Sequence, residues 1–357
     1  MSDKYICPRS EKQGMKEEKA IPSFCLLVVN KRCNFHCRMC NMWKHKEDPN
    51  FLKLDEMKKF VLDLKSFVDE PIFIHIIGGE TLLWPHTAEL AKFITDNGFK
   101  TSITTNGYLI DKVMAKKLVD SRMSGVFVSL DSLDEKKHDY IRGMPGAYKH
   151  VMEAIDNLYE YRGPFNDEMS VSIGITFTIM QFNLDEVIPF VNWIEQNKKI
   201  DAVFFNAVLQ PFDSGEDSHN WYEREKYKEI WPSDLGRVNA VLDQLIEKKK
   251  GGARICNPPE QIQVLKEYFR DPFHFRQNMR IKCPRGDLAP EVNAYGDISM
   301  CFFMPPLGNI RKDSIRDIWY SDKMKEVRHA INTCNLDCDT AINCFYKIEN
   351  ITDYVSS

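Results

Sequence analysis

The sequence predicts an α/β fold: an open, partial (β/α)6 barrel followed by a small C-terminal domain stapled by metal. Three observations carry this expectation. Short apolar runs of strand length alternate with helical periodicities six times between residues 23 and 210, with no hairpin signal between neighbours. Alternation at that spacing calls for parallel strands joined by right-handed helical crossovers, and six units fall short of the eight that close a barrel. Past residue 272 the texture changes to short runs, proline-rich joints and spaced cysteines.

Residues 1–22 read as a flexible leader. Residues 23–30 (SFCLLVVN) form the first strand. Residues 54–67 place Leu54, Met57, Phe60, Val61, Leu64 and Phe67 on one helical face. The second strand, 72–77 (IFIHII), runs into Gly78-Gly79-Glu80, and a helix over 87–97 stops at Asn97-Gly98. Strand 100–105 ends in Asn106-Gly107, a helix covers 110–121, and 126–130 (VFVSL) is the fourth strand. Helix 148–161, strand 171–180, helix 184–196 and strand 202–209 complete the barrel, 23–210. Its apolar strands suit a sheet covered on both faces. Residues 211–271 read as a polar, aromatic linker and helices, the first over 235–250 and ended by Gly251-Gly252; residues 272–357 form the small domain. In such a barrel function belongs at the C-terminal strand ends, here the cysteine loop, Glu80, Asn106, Asp131, Gln181 and Gln210.

Composition excludes several classes. A chain of 357 residues suggests two domains, or one large domain with an appendage. Its 43% hydrophobic and 28% charged residues allow a large core and argue against wholesale disorder. A net charge of −4 gives no electrostatic case for nucleic acid or an acidic membrane surface. No apolar run approaches the roughly 18 residues of a membrane span. The polar N-terminus is not a secretory signal, so the expected compartment is the cytoplasm. The 11 cysteines are too dilute and too clustered for a disulfide scaffold. Cys33, Cys37 and Cys40 group near the start, and Cys283, Cys301, Cys334, Cys338 and Cys344 near the end, as metal or iron–sulfur ligands do.

Cys33-x3-Cys37-x2-Cys40 lies in the loop directly after the first strand. Three thiolates this close can wrap one inorganic cluster. A four-iron cubane held by three thiolates keeps one iron open, as a catalytic site requires. A zinc site with His36 or His45 as fourth ligand competes. Zinc sites, however, favour paired Cys-x2-Cys units and do not call for Gly78-Gly79-Glu80 on the next strand.

Cysteines at this spacing, on the first loop of a β/α barrel, resemble the signature of the radical S-adenosylmethionine (radical SAM) enzymes. Gly78-Gly79-Glu80 resembles the family's GGE motif, which binds the amino group of the methionine moiety. Val128-Ser129-Leu130-Asp131 is similar to its ribose- and carboxylate-contacting segment, and Thr105-Asn106-Gly107 to a common third-strand ending. Arg142-Gly143, following Asp139, resembles an element of the branch with extra clusters, its arginine a candidate partner for the cofactor carboxylate or the substrate. Met39 stands where an aromatic residue usually precedes the third cysteine, and a thioether can pack on a ring face. Thr81 follows the GGE where the family usually has proline. The resemblance covers residues 23–210 and extends into the C-terminus. It implies a [4Fe-4S] cluster on Cys33, Cys37 and Cys40. It implies S-adenosylmethionine bound by Met39, Gly78, Gly79, Glu80, Asn106, Ser129, Asp131 and Arg142, and an external one-electron donor such as flavodoxin or ferredoxin. It also implies reductive cleavage of S-adenosylmethionine to methionine and a 5′-deoxyadenosyl radical that abstracts hydrogen from an unactivated C–H.

Cys283-x12-Gly296-x4-Cys301 is followed by Cys334-x3-Cys338-x5-Cys344. The first half resembles the opening of the auxiliary-cluster extensions called SPASM and Twitch domains, in which the glycine turns a hairpin and the flanking cysteines ligate. Gly308-Asn309-Ile310 and Ile318-Trp319 are similar to the intervening segment. A full SPASM domain holds two cubanes and needs more thiolates than the five here. One auxiliary [4Fe-4S] cluster in the Twitch manner is therefore expected, on Cys283, Cys301, Cys334 and Cys338, with Cys344 as an alternative fourth ligand. A zinc ribbon competes, but Cys-x17-Cys is a poor zinc pair. A fully ligated cubane can accept an electron from a substrate radical, whereas one with an open iron can bind substrate.

The expected function is a radical SAM oxidoreductase acting on a small polar substrate, with the auxiliary cluster as electron acceptor. Peptide modification is the alternative; many peptide-modifying relatives carry an N-terminal recognition domain, and only residues 1–22 precede the first strand here. A non-catalytic iron–sulfur or zinc protein is the reading from another class, and the GGE and Ser129/Asp131 segments weigh against it. Arg142, Gln210 and Asp213, near strand ends, are candidate catalytic or substrate-contacting residues. Cys25 reads as core, Cys7 as inert, and Cys256 as a loop thiol without a partner pattern. His75 reads as a satisfied core histidine, and Trp221, Tyr222, Tyr227 and Trp231 as packing over the barrel rim.

Overall fold

Strands separated by a helix cannot pair through a tight turn, so they come to lie parallel. A computed structural model describes residues 21–164, 170–211, 221–279, 283, 285–334 and 342. The leader to residue 20, with Cys7, and also Asp213, Cys338 and Cys344 lie outside the described residues. Six parallel strands form the barrel wall: β1 (Phe24–Asn30), β2 (Phe73–Gly78), β3 (Lys100–Thr105), β4 (Gly125–Ser129), β5 (Ser172–Ile179) and β6 (Ala202–Ala207). The crossovers are α1 (Leu54–Phe67), α2 (Thr87–Asp96), α3 (Lys112–Asp120), α4 (Glu135–Arg142), α5 (Ala147–Arg162) and α6 (Val187–Gln196). α7 (Leu235–Lys250) and α8 (Pro259–Arg270) follow. α1 buries Met57, Phe60, Val61, Leu64 and Phe67, the stripe its spacing announces.

The small α4 has no counterpart among the expected helices. It buries only His138, Ile141 and Arg142, too few apolar positions to show a period. Its ends are well marked: Asp134 accepts the Lys137 N–H, and Gly143 closes the helix with φ +59°.

The sheet is not covered alike on both faces. Along β1 and β2, Cys25, Leu27, Val29, Ile74 and Ile76 are fully buried, while the alternate residues Leu26, Val28, His75 and Ile77 are half-buried. Thr104, Thr176, Thr178, Phe204 and Asn206 continue that half-buried face. The helices cover one face, and the other is a partly open surface with hydroxyl, amide and imidazole groups. Such alternation is the mark of a half-exposed sheet, and it replaces the expectation of two covered faces.

The C-terminal region is not detached. β7 (Glu291–Val292) pairs parallel with β1, β8 (Asp297–Ser299) pairs antiparallel with β7, and β9 (Gly308–Asn309) pairs with β8. The single sheet has the order β6-β5-β4-β3-β2-β1-β7-β8-β9, open between β6 and β9 among the described residues. Gly296, at φ +90°, turns the β7–β8 hairpin as expected. The short helices α9 (Phe275–Asn278), α10 (Arg285–Leu288) and α11 (Ile315–Trp319), with the longer α12 (Asp322–Asn332), complete the region. Asp63 of α1 accepts the Ile315 N–H at 2.7 Å, Arg311 pairs with Glu56 at 2.6 Å, and Trp319 packs on Phe67.

Trp221, Tyr227 and Trp231 are buried and, with Tyr222, pack onto Tyr268, Phe269 and Phe273, so these aromatics are core. Cys25 is buried as expected. Cys256, expected as a loop thiol, is instead buried beside β6 and disulfide-bonded. Among the described residues no helix is long and apolar enough to cross a membrane.

Two stability predictions follow from buried groups. Arg162, at the end of α5, pairs with Asp201 at 2.5 Å, and the same carboxylate oxygen accepts the Ile173 N–H at 2.7 Å. Asp201→Ala removes the carboxylate that pairs with the buried guanidinium and caps the Ile173 N–H, so the denaturation midpoint should fall by the equivalent of about 3 kcal/mol. His75 sits between the Ser102 and Thr104 hydroxyls at 2.7 and 3.1 Å, and burial pulls its pKa down to about 4. An unfolded histidine titrates near 6.5, roughly, so the stability that neutral His75 confers is complete above that pH. It is lost as pH falls from about 6.5 toward the folded value. The stability gap between wild type and His75→Gln, measured in urea, should therefore narrow between about pH 8 and about pH 5.

Candidate active site

The cysteine loop begins where β1 ends, and backbone hydrogen bonds hold it. Gly79 N donates to Asn30 O (3.1 Å), Glu80 N to Arg32 O (2.6 Å), and Arg38 N to Ile141 O (3.0 Å). Two glycines permit this approach. A Cβ on Gly79 would lie 2.2 Å from Arg32 O, and one on Gly143 would lie 2.2 Å from His36 O. The loop is thus gripped between the β2 end and the α4 end. Phe35 is buried beneath it, edge-on to Tyr108, and Asn106 Nδ2 donates to Asn34 Oδ1 at 2.8 Å.

Cys33, Cys37 and Cys40 are half-buried and in no disulfide. Cys33 Sγ accepts the Phe35 N–H and Cys40 Sγ the Met42 N–H, each at 3.5 Å. Burial pushes Cys33 up to about 12 and Cys37 up to about 11, so a bound positive centre is needed to make them thiolates. Three unoxidised thiols on one loop with amide donors aimed at sulfur fit the three-thiolate cluster. Met39 packs half-buried against the core.

Glu80 turns inward. Its carboxylate accepts from Leu82 N (2.9 Å), Thr105 Oγ1 (2.6 Å) and Asn106 N (2.7 Å), against a burial that pushes its pKa up. The side chain therefore ties β2 to the β3 end, and Gly78 and Gly79 bring the backbone against the cysteine loop. Asp131 is likewise buried. Its Oδ1 accepts the Thr178 N–H at 2.8 Å, and its Oδ2 pairs with Arg142 Nη2 at 2.7 Å. The guanidinium of Arg142 also lies close enough to Cys37 to pull its pKa down against the effect of burial. His138, kept neutral by burial with a pKa down at about 3, accepts the Asp131 N–H on Nδ1. Sequence reasoning missed His138, because α4 buries too few apolar positions to announce a helix that would place it one turn before Arg142. Ser129 and Thr176 share a hydrogen bond at 3.2 Å. Gln181 faces away, accepting the Ser233 N–H, and Gln210 lies just past β6.

The second cysteine group lies at the other end of the sheet. Glu291 of β7 is level with Leu26, and Ser299 of β8 pairs with Glu291. Since β8 runs antiparallel, Cys301 lies toward the N-terminal end of β1. The cysteine loop lies beyond Asn30, about 20 Å along the strand at roughly 3.3 Å per residue. Cys283, Cys301 and Cys334 are half-buried free thiols, and Cys301 Sγ accepts the Phe303 N–H at 3.5 Å. Burial raises the Cys283 pKa, and nearby Cys301 adds to the rise.

Gly143 offers the cleanest test of the grip, because both its φ and its contact with His36 forbid a side chain. Gly143→Ala should reduce iron incorporation at the first cysteine group severely, measured as iron per chain after anaerobic reconstitution. Gly146→Ala, which meets no atom within 4 Å though its φ is also positive at +78°, should retain iron near the wild-type level.

Residues 27–188 match the model of the radical SAM superfamily, and residues 283–340 match the SPASM iron–sulfur cluster-binding domain. The second stretch holds Cys283, Cys301, Cys334 and Cys338 and stops short of Cys344. The AdoMet-dependent heme synthase of Methanosarcina barkeri is 27% identical over 80% of this chain and 79% of its own. The Fe-coproporphyrin III synthase of the same organism is 33% identical over 50% of this chain, which spans under half (43%) of that relative's length. Streptococcus suis SuiB bound to its precursor peptide SuiA has the same fold, with TM-score 0.62 and 18% identity over 91% of this chain and 71% of SuiB. The two family matches, in order along the chain and together covering more than half of it, place it in the radical SAM superfamily, as an enzyme with a C-terminal SPASM domain that binds auxiliary iron–sulfur clusters.

Proposed function

We propose that this enzyme is an oxidoreductase that removes hydrogen from a small polar molecule lying along the half-open face of the sheet, between the two cysteine groups. The observation that carries the reading is their placement at opposite ends of β1, with His75, Thr104, Thr176, Thr178 and Asn206 between them. When bound, the first cluster and S-adenosylmethionine supply a carbon radical that takes hydrogen from substrate, and one auxiliary [4Fe-4S] cluster supplies an electron acceptor.

The chain's own residues then have distinct tasks. Cys33, Cys37 and Cys40 hold the first cluster, and Asp131 fixes Arg142 as a positive group beside it. Gly78, Gly79, Asn106, Ser129 and Met39 line the proposed S-adenosylmethionine site, with Glu80 bracing it from behind. The hydroxyl, amide and imidazole groups of the open face present hydrogen-bond partners to a polar substrate. Phe24 and Phe73, stacked at 6.0 Å, shield its N-terminal end from water. Gln210 is a proposed substrate contact. Cys283, Cys301, Cys334 and Cys338 are the proposed auxiliary ligands, with Cys344 as alternative. The heme synthase and Fe-coproporphyrin III synthase relatives are named for small molecules, which supports that substrate class over a peptide. An external electron carrier such as flavodoxin or ferredoxin and a cytoplasmic setting complete the proposal.

Anaerobic turnover with deuterated candidate substrates tests it. Deuterium should appear in 5′-deoxyadenosine with a small molecule, and transfer from peptides alone would overturn the substrate class. Cys33→Ala, Cys37→Ala or Cys40→Ala should abolish 5′-deoxyadenosine, and unchanged production would sink the assignment. Reconstituted protein should hold about eight irons per chain; about twelve refutes a single auxiliary cubane.

A further inference from the structure

Asp131 is held at its backbone N and O and at both carboxylate oxygens. Its N–H donates to His138 Nδ1 at 3.2 Å, its carbonyl accepts from Asn183 Nδ2 at 2.8 Å, and its Oδ1 accepts the Thr178 N–H at 2.8 Å. Its Oδ2 then pairs with Arg142 at 2.7 Å. Thr178 and Asn183 belong to β5 and the turn after it, whereas His138 is a ring on α4, one turn before Arg142 and so on the same helix face. His138 is fully buried and neutral. Because Nδ1 accepts, the ring proton lies on Nε2. That atom is buried without a hydrogen-bond partner among the described residues, and the Tyr148 ring stands edge-on at 6.2 Å between centroids. A buried donor left unpaired costs free energy, and an apolar side chain would avoid the cost. What the imidazole adds is one acceptor, aimed at the Asp131 N–H.

We infer that His138 is a positioning residue for S-adenosylmethionine: by fixing Asp131 it holds Arg142 where the guanidinium meets the cofactor's carboxylate. The inference rests on the reading of Arg142 as a contact of that carboxylate. An arginine side chain has many rotamers, and holding one of them in a buried site opposes conformational entropy. Asp131 selects one rotamer, but only if its own carboxylate is fixed. Thr178 and Asn183 fix Asp131 relative to β5. His138 fixes it relative to α4, the element that carries Arg142, so both partners of the ion pair are set by the same helix. An acidic side chain at 138 would place a second negative charge beside Asp131, and an apolar one would offer no acceptor. Without the acceptor, the Asp131 N–H turns toward another partner and the carboxylate moves with it. The arrangement that receives the cofactor then becomes a fraction of the population, and the apparent affinity falls by that fraction. Fully buried, His138 acts through Asp131 and Arg142.

Anaerobically reconstituted protein can be titrated by equilibrium dialysis with S-adenosylmethionine and with its decarboxylated analogue, and iron per chain counted for each variant. The parent should prefer S-adenosylmethionine. In His138→Leu that preference should narrow about tenfold, with iron retained. His138→Asn, whose Oδ1 falls near the place of Nδ1, should keep the parent's preference. A merely structural loss would weaken both probes alike and leave their ratio unchanged, and that result overturns the inference. Arg142→Gln tests the reading beneath it. Equal affinity for the two probes in the parent, or an unchanged ratio in Arg142→Gln, removes Arg142 from the carboxylate, and the inference falls with it. A ratio narrowed in Arg142→Gln but not in His138→Leu overturns the inference alone. If His138→Leu fails to fold or to hold iron, His138→Gln decides in its place by the same ratio, since it keeps a polar side chain but carries its amide too far out for the Asp131 N–H.

Discussion

The site depends on a backbone-to-backbone contact. Between Asn30 and α1 the chain has no regular structure beyond the short turn Met42–Lys44, yet it must hold three thiols in one arrangement. An irregular loop of that length would lose its order to conformational entropy unless clamped. The clamp is the close approach of Gly79 to Arg32 from one side and of Gly143 to His36 from the other. Each glycine comes from a different element, so the loop's shape is inherited from the relative placement of β2 and α4. The inward Glu80, holding Leu82, Thr105 and Asn106, fixes one of those elements. The Asp131–Arg142 pair fixes the other.

The second constraint is sheet continuity. Had the C-terminal cysteines sat on a separate domain, their position relative to the first group would depend on a linker. Instead β7 adds directly to β1, and the β7–β8 hairpin sets Cys301 by hydrogen-bond register. The distance between the two groups is thus measured along one strand. Docking of α11 on α1 through Asp63, and of Arg311 on Glu56, holds the region against the same helix that follows the cysteine loop.

Most of the barrel was legible from sequence because period and punctuation agree there. The span 54–67 carries a full apolar stripe, and 100–105 is bounded by a turn at each end. α4 was not legible: its function is to deliver Arg142, Gly143 and His138 rather than to bury apolar surface. The two-covered-faces expectation failed for a related reason. In β2 the open face reads Phe73, His75, Ile77, apolar enough in sequence to pass for buried, and only the hydroxyls of β3 and β5 give it away. The motif positions stand where the strands end, but their orientation was not legible. Nothing in Gly78-Gly79-Glu80 says that the carboxylate points back into the protein, a fact set by the donors at Thr105 and Asn106.

The two ends of the sheet share one arrangement of charge, an arginine near the thiols paired with a buried carboxylate. Beside Cys37 the guanidinium of Arg142 is paired with the fully buried carboxylate of Asp131 at 2.7 Å. Matching one charge with one counter-charge in a dry site keeps the pair local. At the other end Arg276 donates to the Cys334 carbonyl and Arg285 to the Met300 carbonyl, and Arg285 pairs with Glu291 at 3.3 Å. At each cysteine group a buried carboxylate at or near the end of a strand therefore holds an arginine beside the thiols, so the charge next to the sulfurs is positioned by the sheet itself.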